Sequence, residues 1–283
     1  MEFEKITIVG LGLIGGSLAW ALKESKQVKT VVGVDPDKET VKYALGNGII
    51  DEGSSDISEG AQGAEIVVIA THVGIIPDTA KSIFESATEG AIITDVGSVK
   101  SSIVKRSESN LPDNLNFIGG HPIAGTEHSG VKFADSNLFK GRRCILTPTQ
   151  KTKTEVVNKV SKMWETLGSQ VYNMDPETHD HIFSIVSHLP HVIAFSLVNT
   201  VLNAKDNDEL MNFAGGGLKD YTRVAASSPE MWTEIFKANK DQLLEAISKF
   251  KGTLKDIETA IENEDFESLR KQLENAARTK RGL

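Results

Sequence analysis

Short apolar runs, each closed by glycine or a single acid, alternate with amphipathic stretches through the first 173 residues. Ile6-Thr7-Ile8-Val9, Val31-Val32-Gly33-Val34, Glu65–Ala70, Ala91–Asp95, Asn116-Phe117-Ile118, Arg143–Leu146 and Gln170–Tyr172 read as strands. Helical spacing follows over Gly16–Lys23, after Pro77, after Ser98 and over Lys153–Leu167. Branched residues in unbroken runs suit strands covered on both faces. Strands alternating with helices predict a doubly wound, mostly parallel, Rossmann-like α/β sheet. After Asp175-Pro176 the pattern changes to long helices alone. One apolar helical stretch runs from Glu177 to about Asn203, with a kink expected at Pro190, which removes a backbone donor. Gly215-Gly216-Gly217 reads as a hinge, and Ser228-Pro229-Glu230 as a helix start with serine as cap. Two domains are expected, 1–173 with the sheet and 174–283 all-helical.

Composition narrows the class. A net charge of −8 over 283 residues, with basic residues spread out, argues against nucleic acid or an anionic membrane as the main partner. No apolar stretch is expected to reach the ~20 residues a bilayer span needs, and the start of the chain is unlike a secretory signal. The single cysteine, Cys144, lies in an apolar strand and permits a reducing compartment. A soluble cytoplasmic protein is expected.

The chemistry begins at the first turn. Gly10-Leu11-Gly12-Leu13-Ile14-Gly15 joins the first strand to the first helix, and Asp35 ends the second strand twenty residues after Gly15. Strand, glycines, helix, strand and acid in that order form a dinucleotide-binding signature. Gly10 allows the turn, Gly12 lets a pyrophosphate approach the backbone, and Gly15 lets helix and strand pack closely. Backbone N–H groups at Leu13 and Ile14 face the anion, and Asp35 holds ribose hydroxyls, favouring NAD over NADP. Thr71, Ser98 and His121 each follow another strand, at the edge of the sheet where ligands of such folds collect. Ser98 fits equally a helix N-cap, and His121, in Gly119–Gly130 with Pro122 fixing a turn, is placed to exchange protons near neutral pH. His179, His181, His188 and His191 share the long helix, but no carboxylate or cysteine completes a tetrahedral set, so no metal is expected.

With these segments in hand, the chain resembles the prephenate and arogenate dehydrogenases of tyrosine biosynthesis. The match rests on Gly10–Gly16 with Asp35, Asp95-Val96-Gly97-Ser98-Val99-Lys100, Gly119–Gly130, Ser187-His188-Leu189-Pro190-His191, and Gly215–Arg223 with Trp232. The resemblance implies an NAD domain, a helical dimerisation domain giving a homodimer, and oxidative decarboxylation of prephenate to 4-hydroxyphenylpyruvate, with arogenate as the alternative substrate. It implies that His121 deprotonates the substrate 4-hydroxyl while Ser98 orients it and borders the cofactor. It further implies that His191 and Arg223 bind carboxylates, and that Ser187, His188, Thr126 and Gly216 line the pocket. Glu127, Asp180 and Trp232 are similar to a polar network that controls access. A β-hydroxyacid dehydrogenase would carry a lysine base on the first long helix, and Glu177–Ala204 contains none. A non-catalytic NAD sensor is the remaining alternative.

Overall fold

A computed structural model describes residues 2–126, 128–205, 210 and 212–282. Eight strands form one sheet: β1 (Phe3–Val9), β2 (Val28–Val34), β3 (Glu52–Ser54), β4 (Ile66–Ile69), β5 (Ile92–Asp95), β6 (Asn116–Pro122), β7 (Arg143–Thr147) and β8 (Gln170–Asn173). Their spatial order is β3-β2-β1-β4-β5-β6-β7-β8. All neighbours are parallel except β6 and β7, which run antiparallel. The helices of this part are α1 (Leu13–Ser25), α2 (Lys38–Gly46), α3 (Ile57–Ala61), α4 (Ile76–Phe84), α5 (Ser101–Glu108) and α6 (Thr154–Thr166). Alternate strand residues feed two cores. Ile6, Ile8, Val31, Ile66 and Val68 face α1 and α6 with Leu18, Leu22 and Trp164, while Val9, Val32, Val67, Ile69 and Ile93 face α4 and α5 with Ile83 and Ile103. Burial on both faces explains the unbroken apolar runs. The order reverses between β1 and β4, and a crevice forms at such a switch point beyond the strand ends.

The second part of the chain is helical: α7 (Pro176–Phe183), α8 (Leu189–Leu202), α9 (Gly216–Thr222), α10 (Pro229–Ala238), α11 (Lys240–Glu262) and α12 (Phe266–Arg281). Residues 1–239 form one compact unit, so α7–α10 pack with the sheet; residues 240–283 form a second unit, the hairpin of α11 and α12. Asp175 caps α7 and Ser228 caps α10, each accepting a backbone N–H in the first turn. Between α7 and α8 the chain does not break at Pro190. It widens into a π-helical turn over Ser184–His188, where Leu189 N–H reaches the Ser184 carbonyl. That wider turn takes up the missing proline donor.

One sequence expectation is corrected here. The run Pro176–Leu202 is a continuous 27-residue helical stretch of mean hydropathy 1.6, long and apolar enough by length and composition to cross a bilayer, and only 11% of its most apolar window is buried. The sequence pattern reads as one helix, but its polar His179, Asp180 and His188 and the proline mask how apolar it is overall.

Candidate active site

The turn after β1 is built as a cradle. Gly10 has φ +98° and a Cβ there would lie 2.8 Å from the Ala70 carbonyl, so the loop demands glycine. A Cβ on Gly12 would meet nothing within 4 Å. The first helical bond of α1 is Gly16 N–H to the Gly12 carbonyl, and no side chain caps the helix. The N–H groups of Leu13, Ile14 and Gly15 therefore precede any helical partner, as an anion-binding turn requires. Asp35 braces the loop, accepting from Leu11 N–H at 2.8 Å and from Asp37 N–H at 3.0 Å, which leaves further acceptor capacity on both oxygens. Thr71, after β4, holds a buried hydroxyl with no partner among the described residues. Open space at Gly12, uncapped donors and an unpartnered hydroxyl along one edge fit a dinucleotide.

Beside this cradle lies a buried polar chain. Asp95, at the end of β5, pairs with Lys100 Nζ, both side chains excluded from solvent, and accepts from Gly97 N–H at 2.8 Å. Lys100 Nζ also donates to the Gly120 carbonyl at 2.7 Å. A Cβ on Gly120 would stand 2.7 Å from the Asp95 carbonyl, so β6 can pass this close only as glycine. The next residue is His121. The expected turn at Pro122 is not formed: His121 and Pro122 are strand residues of β6, paired with Ile145 and Cys144 of β7. His121 Nδ1 lies 2.8 Å from His179 Nε2, and His179 Nδ1 lies 2.8 Å from Asp180 Oδ1. Phe183 packs on both rings, with centroids 4.9 and 4.5 Å away. Burial, then charge interactions with Lys100 and with His179 and His188 in their cationic forms, hold the His121 imidazole well below the ordinary histidine range. The ring is neutral at pH 7.

Asp180 corrects the capping role open to Ser98. The α5 N–H groups of Lys100 and Ser101 are taken by Asp180 Oδ1 at 2.7 Å and Oδ2 at 2.9 Å, from α7. Ser98 is half-buried in the loop before Lys100 and caps nothing. Despite burial, its hydrogen bonds with His179, Lys100 and Ser101 hold the Asp180 carboxyl below its usual value.

A third group gathers around Trp232, which is buried. The His191 ring stacks on it with centroids 3.5 Å apart, and His188 stands edge-on at 6.0 Å. His191 Nδ1 donates to the Ser187 carbonyl at 2.9 Å. Burial lowers the His191 pKa, the Ser187 carbonyl partly opposes this, and the charge of Arg223 adds to the lowering. Asn239 Nδ2 donates to the Asp180 carbonyl at 2.8 Å and faces His188 Nδ1 at 3.2 Å. His188 Nε2 and Trp232 Nε1 are buried without partners among the described residues. Burial drives His188 down to about 4, against the opposing charge of Asp180.

The comparisons with known proteins cover the whole of this architecture. Residues 18–173 match the family described as "Prephenate dehydrogenase, nucleotide-binding domain", and residues 175–275 match "Prephenate dehydrogenase, dimerization domain". The chain belongs to the prephenate dehydrogenase family. It is 37% identical over 282 residues to a prephenate dehydrogenase of Bacillus subtilis, covering 99% of this chain and 76% of that one. The crystal structure of a prephenate dehydrogenase from A. aeolicus, in complex with hydroxyphenyl propionate and NAD+, superposes with a TM-score of 0.93 at 38% identity, over 99% of this chain and 98% of that one. The Synechocystis arogenate dehydrogenase gives 0.84 at 33% identity, over 98% and 99%.

Within this family member, the residues singled out in the sequence fall into three sets. Gly10, Gly12, Leu13, Ile14, Gly15, Asp35 and Thr71 form the cradle. His121, Ser187, His188, His191, Arg223 and Trp232 are linked by the contacts and charge interactions above, and the Ser98 backbone acts on His188 and raises its pKa against burial. No described contact joins Thr126 and Gly216 to them: Thr126 is exposed and accepts from His128 N–H at 3.2 Å, and Gly216 is exposed at the start of α9. Glu127 lies outside the described residues. Asp180, expected in an access network, is buried and hydrogen-bonded to His179. The fully buried Lys100, the Asp95 it pairs with, and Asn239 carry no role in the sequence reading. Nothing local marks Lys100 as buried, since Ser98, Ser101 and Ser102 flank it.

Proposed function

We propose that this family member is a prephenate dehydrogenase that converts prephenate to 4-hydroxyphenylpyruvate and CO2 in tyrosine biosynthesis. The observation that carries the reading is a neutral His121, engaged through Nδ1 alone, on a strand end beside the dinucleotide cradle. Prephenate has a 4-hydroxyl on a cyclohexadienyl ring and two carboxylates. NAD+ held by Gly12, Leu13, Ile14, Asp35 and Thr71 supplies the hydride acceptor. His121 Nε2 takes the hydroxyl proton as hydride leaves the same carbon, and Ser98 keeps the hydroxyl aligned. The C–CO2 bond then breaks with its electron pair entering the ring, and aromatisation makes the step irreversible. Arg223 and His191 bind carboxylate, while the buried N–H groups of His188 and Trp232 supply donors. Ser187, Thr126, Gly216 and Glu127 complete the pocket.

The protein works as a homodimer with a nucleotide domain, 1–173, and a dimerisation domain, 174–283. The exposed apolar surface of α8 supports this, and Ile185 and Val186 beside it are 41% and 62% exposed. A bilayer is a poor partner for this stretch, because His179, Asp180 and His188 on the same run belong to the polar centre. A cytoplasmic location suits an unpaired thiol, Cys144, buried in β7. The test is NADH formation with prephenate and, separately, with arogenate. Turnover of prephenate is expected, and turnover of arogenate alone would move the assignment to the arogenate branch.

A further inference from the structure

The contacts of His179 go beyond support for a helix start. Its two ring nitrogens are both engaged, one by His121 and one by Asp180, each at 2.8 Å, and its side chain is fully buried. The state of Asp180 determines the rest. Its oxygens accept the N–H groups of Lys100 and Ser101 at the start of α5, which favours the carboxylate. A carboxylate facing His179 Nδ1 requires a proton on that nitrogen. Neutral His179 then presents a lone pair at Nε2, and the facing His121 Nδ1 must carry its own proton. His121 is left with its lone pair on Nε2, the nitrogen a base needs.

We propose that His179, held by Asp180, is a positioning residue that fixes the reactive tautomer of His121 and shares the positive charge His121 acquires. The inference rests on His121 being the base of the reaction. When His121 Nε2 gains the substrate hydroxyl proton, its Nδ1 proton moves along the hydrogen bond to His179 Nε2. His179, still protonated at Nδ1, becomes the cation and lies against the Asp180 carboxylate. No proton is lost: the movement reverses, and the proton leaves through His121 Nε2 after product departs. The arrangement answers a specific difficulty. His179 from α7 faces His121, the charges of Lys100 from the loop before α5 and of His188 from the π turn act on it, and Cys144 of β7 meets its backbone; the cationic forms of these groups resist a cation there. Asp180 and Asp95 are the acids near His179, and Asp180 raises its pKa against burial and Lys100. Burial and Lys100 still lower the His179 pKa, but Asp180 and Asp95 oppose them there and no such acid acts on His121, so the dyad moves the charge to a place that opposes it less.

The test combines tautomer spectroscopy with kinetics on the full-length protein. In protein labelled with [15N]histidine, His121→Asn and His179→Gln variants assign the signals. His121 and His179 are expected to show protonated Nδ1 and unprotonated Nε2 at neutral pH. His179→Gln keeps an acceptor near His121 but cannot carry charge to Asp180. It should lower kcat by about 10- to 10³-fold, within the range an orienting group of a general base can supply. KM for prephenate and NAD+ should stay within about threefold, and the acidic limb of the pH profile should move lower, because imidazolium loses its acceptor. His121 found with its proton on Nε2, or a His179→Gln enzyme with unchanged kcat and pH profile, overturns the proposal. The spectra need no substrate, so the expected tautomers without prephenate turnover would fault the assigned reaction and still support the dyad.

Discussion

Lys100 and Asp95 form an ion pair with no solvent access to either side chain, and the same ammonium holds the carbonyl of Gly120 next to His121. A charge so deep in an α/β core is tolerated only with its partners in place. Removing one member leaves the other buried and uncompensated, which costs about 3–5 kcal/mol. Lys100→Met should therefore lower Tm by about 2–4 °C per kcal/mol lost. Pairing it with Asp95→Asn, which keeps an acceptor for one backbone N–H, should recover part of the loss. Thermal unfolding of the single and double variants checks this; equal stability of Lys100→Met and the parent would mean the pair is not buried as described.

The nucleotide cradle gives a test in which two similar substitutions part company. Gly12 has a negative φ and open space at Cβ, so Gly12→Ala should leave the stability within about 1 kcal/mol of the parent. The added methyl occupies the approach of the pyrophosphate, so NAD+ affinity should fall at least ~10-fold. Gly10→Ala meets the Ala70 carbonyl at positive φ and should destabilise the fold itself. Asp35→Ser should narrow the preference for NAD+ over NADP+, since the carboxylate would repel a 2′-phosphate. Calorimetric binding of both cofactors, run beside thermal melts, separates these effects. Tight NAD+ binding by Gly12→Ala would remove the cradle from consideration.

Arg223 should be needed for substrate and not for folding, because it is exposed and its charge acts on His191. A charge-assisted carboxylate contact of roughly 1.5–3 kcal/mol predicts a ~10- to 150-fold fall in kcat/KM for Arg223→Ala. Arg223→Lys should recover little, since a point charge cannot form the fork. Unchanged kinetics in the alanine variant would leave Arg223 a surface residue.

Acid should destabilise the protein in a defined window. His188 is held at about 4, whereas in the unfolded chain it titrates near ~6.5. Between these values the unfolded state binds the extra proton, so stability is fully present above ~6.5 and falls until about pH 4. The loss from this residue alone is on the order of 3 kcal/mol, and His121, His179 and His191 shift the same way. Denaturant melts from pH 7 to 4 should show this slope, and His188→Leu should reduce it by about one proton. A variant with the parent slope would mean His188 is not buried neutral.

The sheet was legible because burial on both faces leaves unbroken runs of branched residues that need no context. β3, Glu52-Gly53-Ser54, escaped because it is short, polar and placed at the sheet edge. The cradle was legible for a different reason: every part of it lies within one strand–turn–helix unit and the strand after it. The catalytic neighbourhood was only half legible. A cap is sought beside the helix it serves, and α5 is capped by Asp180, 79 residues beyond Ser101. The pairing of His121 with His179 likewise exists only once α7 folds back onto the sheet. Local spacing cannot report such contacts, and residue chemistry alone suggested a polar pair or an access network.

The functional reading stands or falls on His121. With its imidazole held below the ordinary histidine range by burial and by His179, Lys100 and His188, the base stays deprotonated across neutral pH. The rate should therefore be flat near pH 7 and fall only below ~6.5, as the ring gains a proton and loses the lone pair that accepts from substrate. His121→Asn should lose about 10²–10⁴-fold in kcat and keep its affinity for NAD+, because the cradle does not include this residue. Ser98→Ala should lose less, having removed alignment and kept the base. His191 titrates in the same direction and is the rival for the limb. A His191→Asn enzyme that retains the acidic limb, beside a His121→Asn enzyme that lacks it, assigns the base. The opposite pattern would transfer that role to the ring stacked on Trp232, and His121 would then serve only to tie β6 to α7.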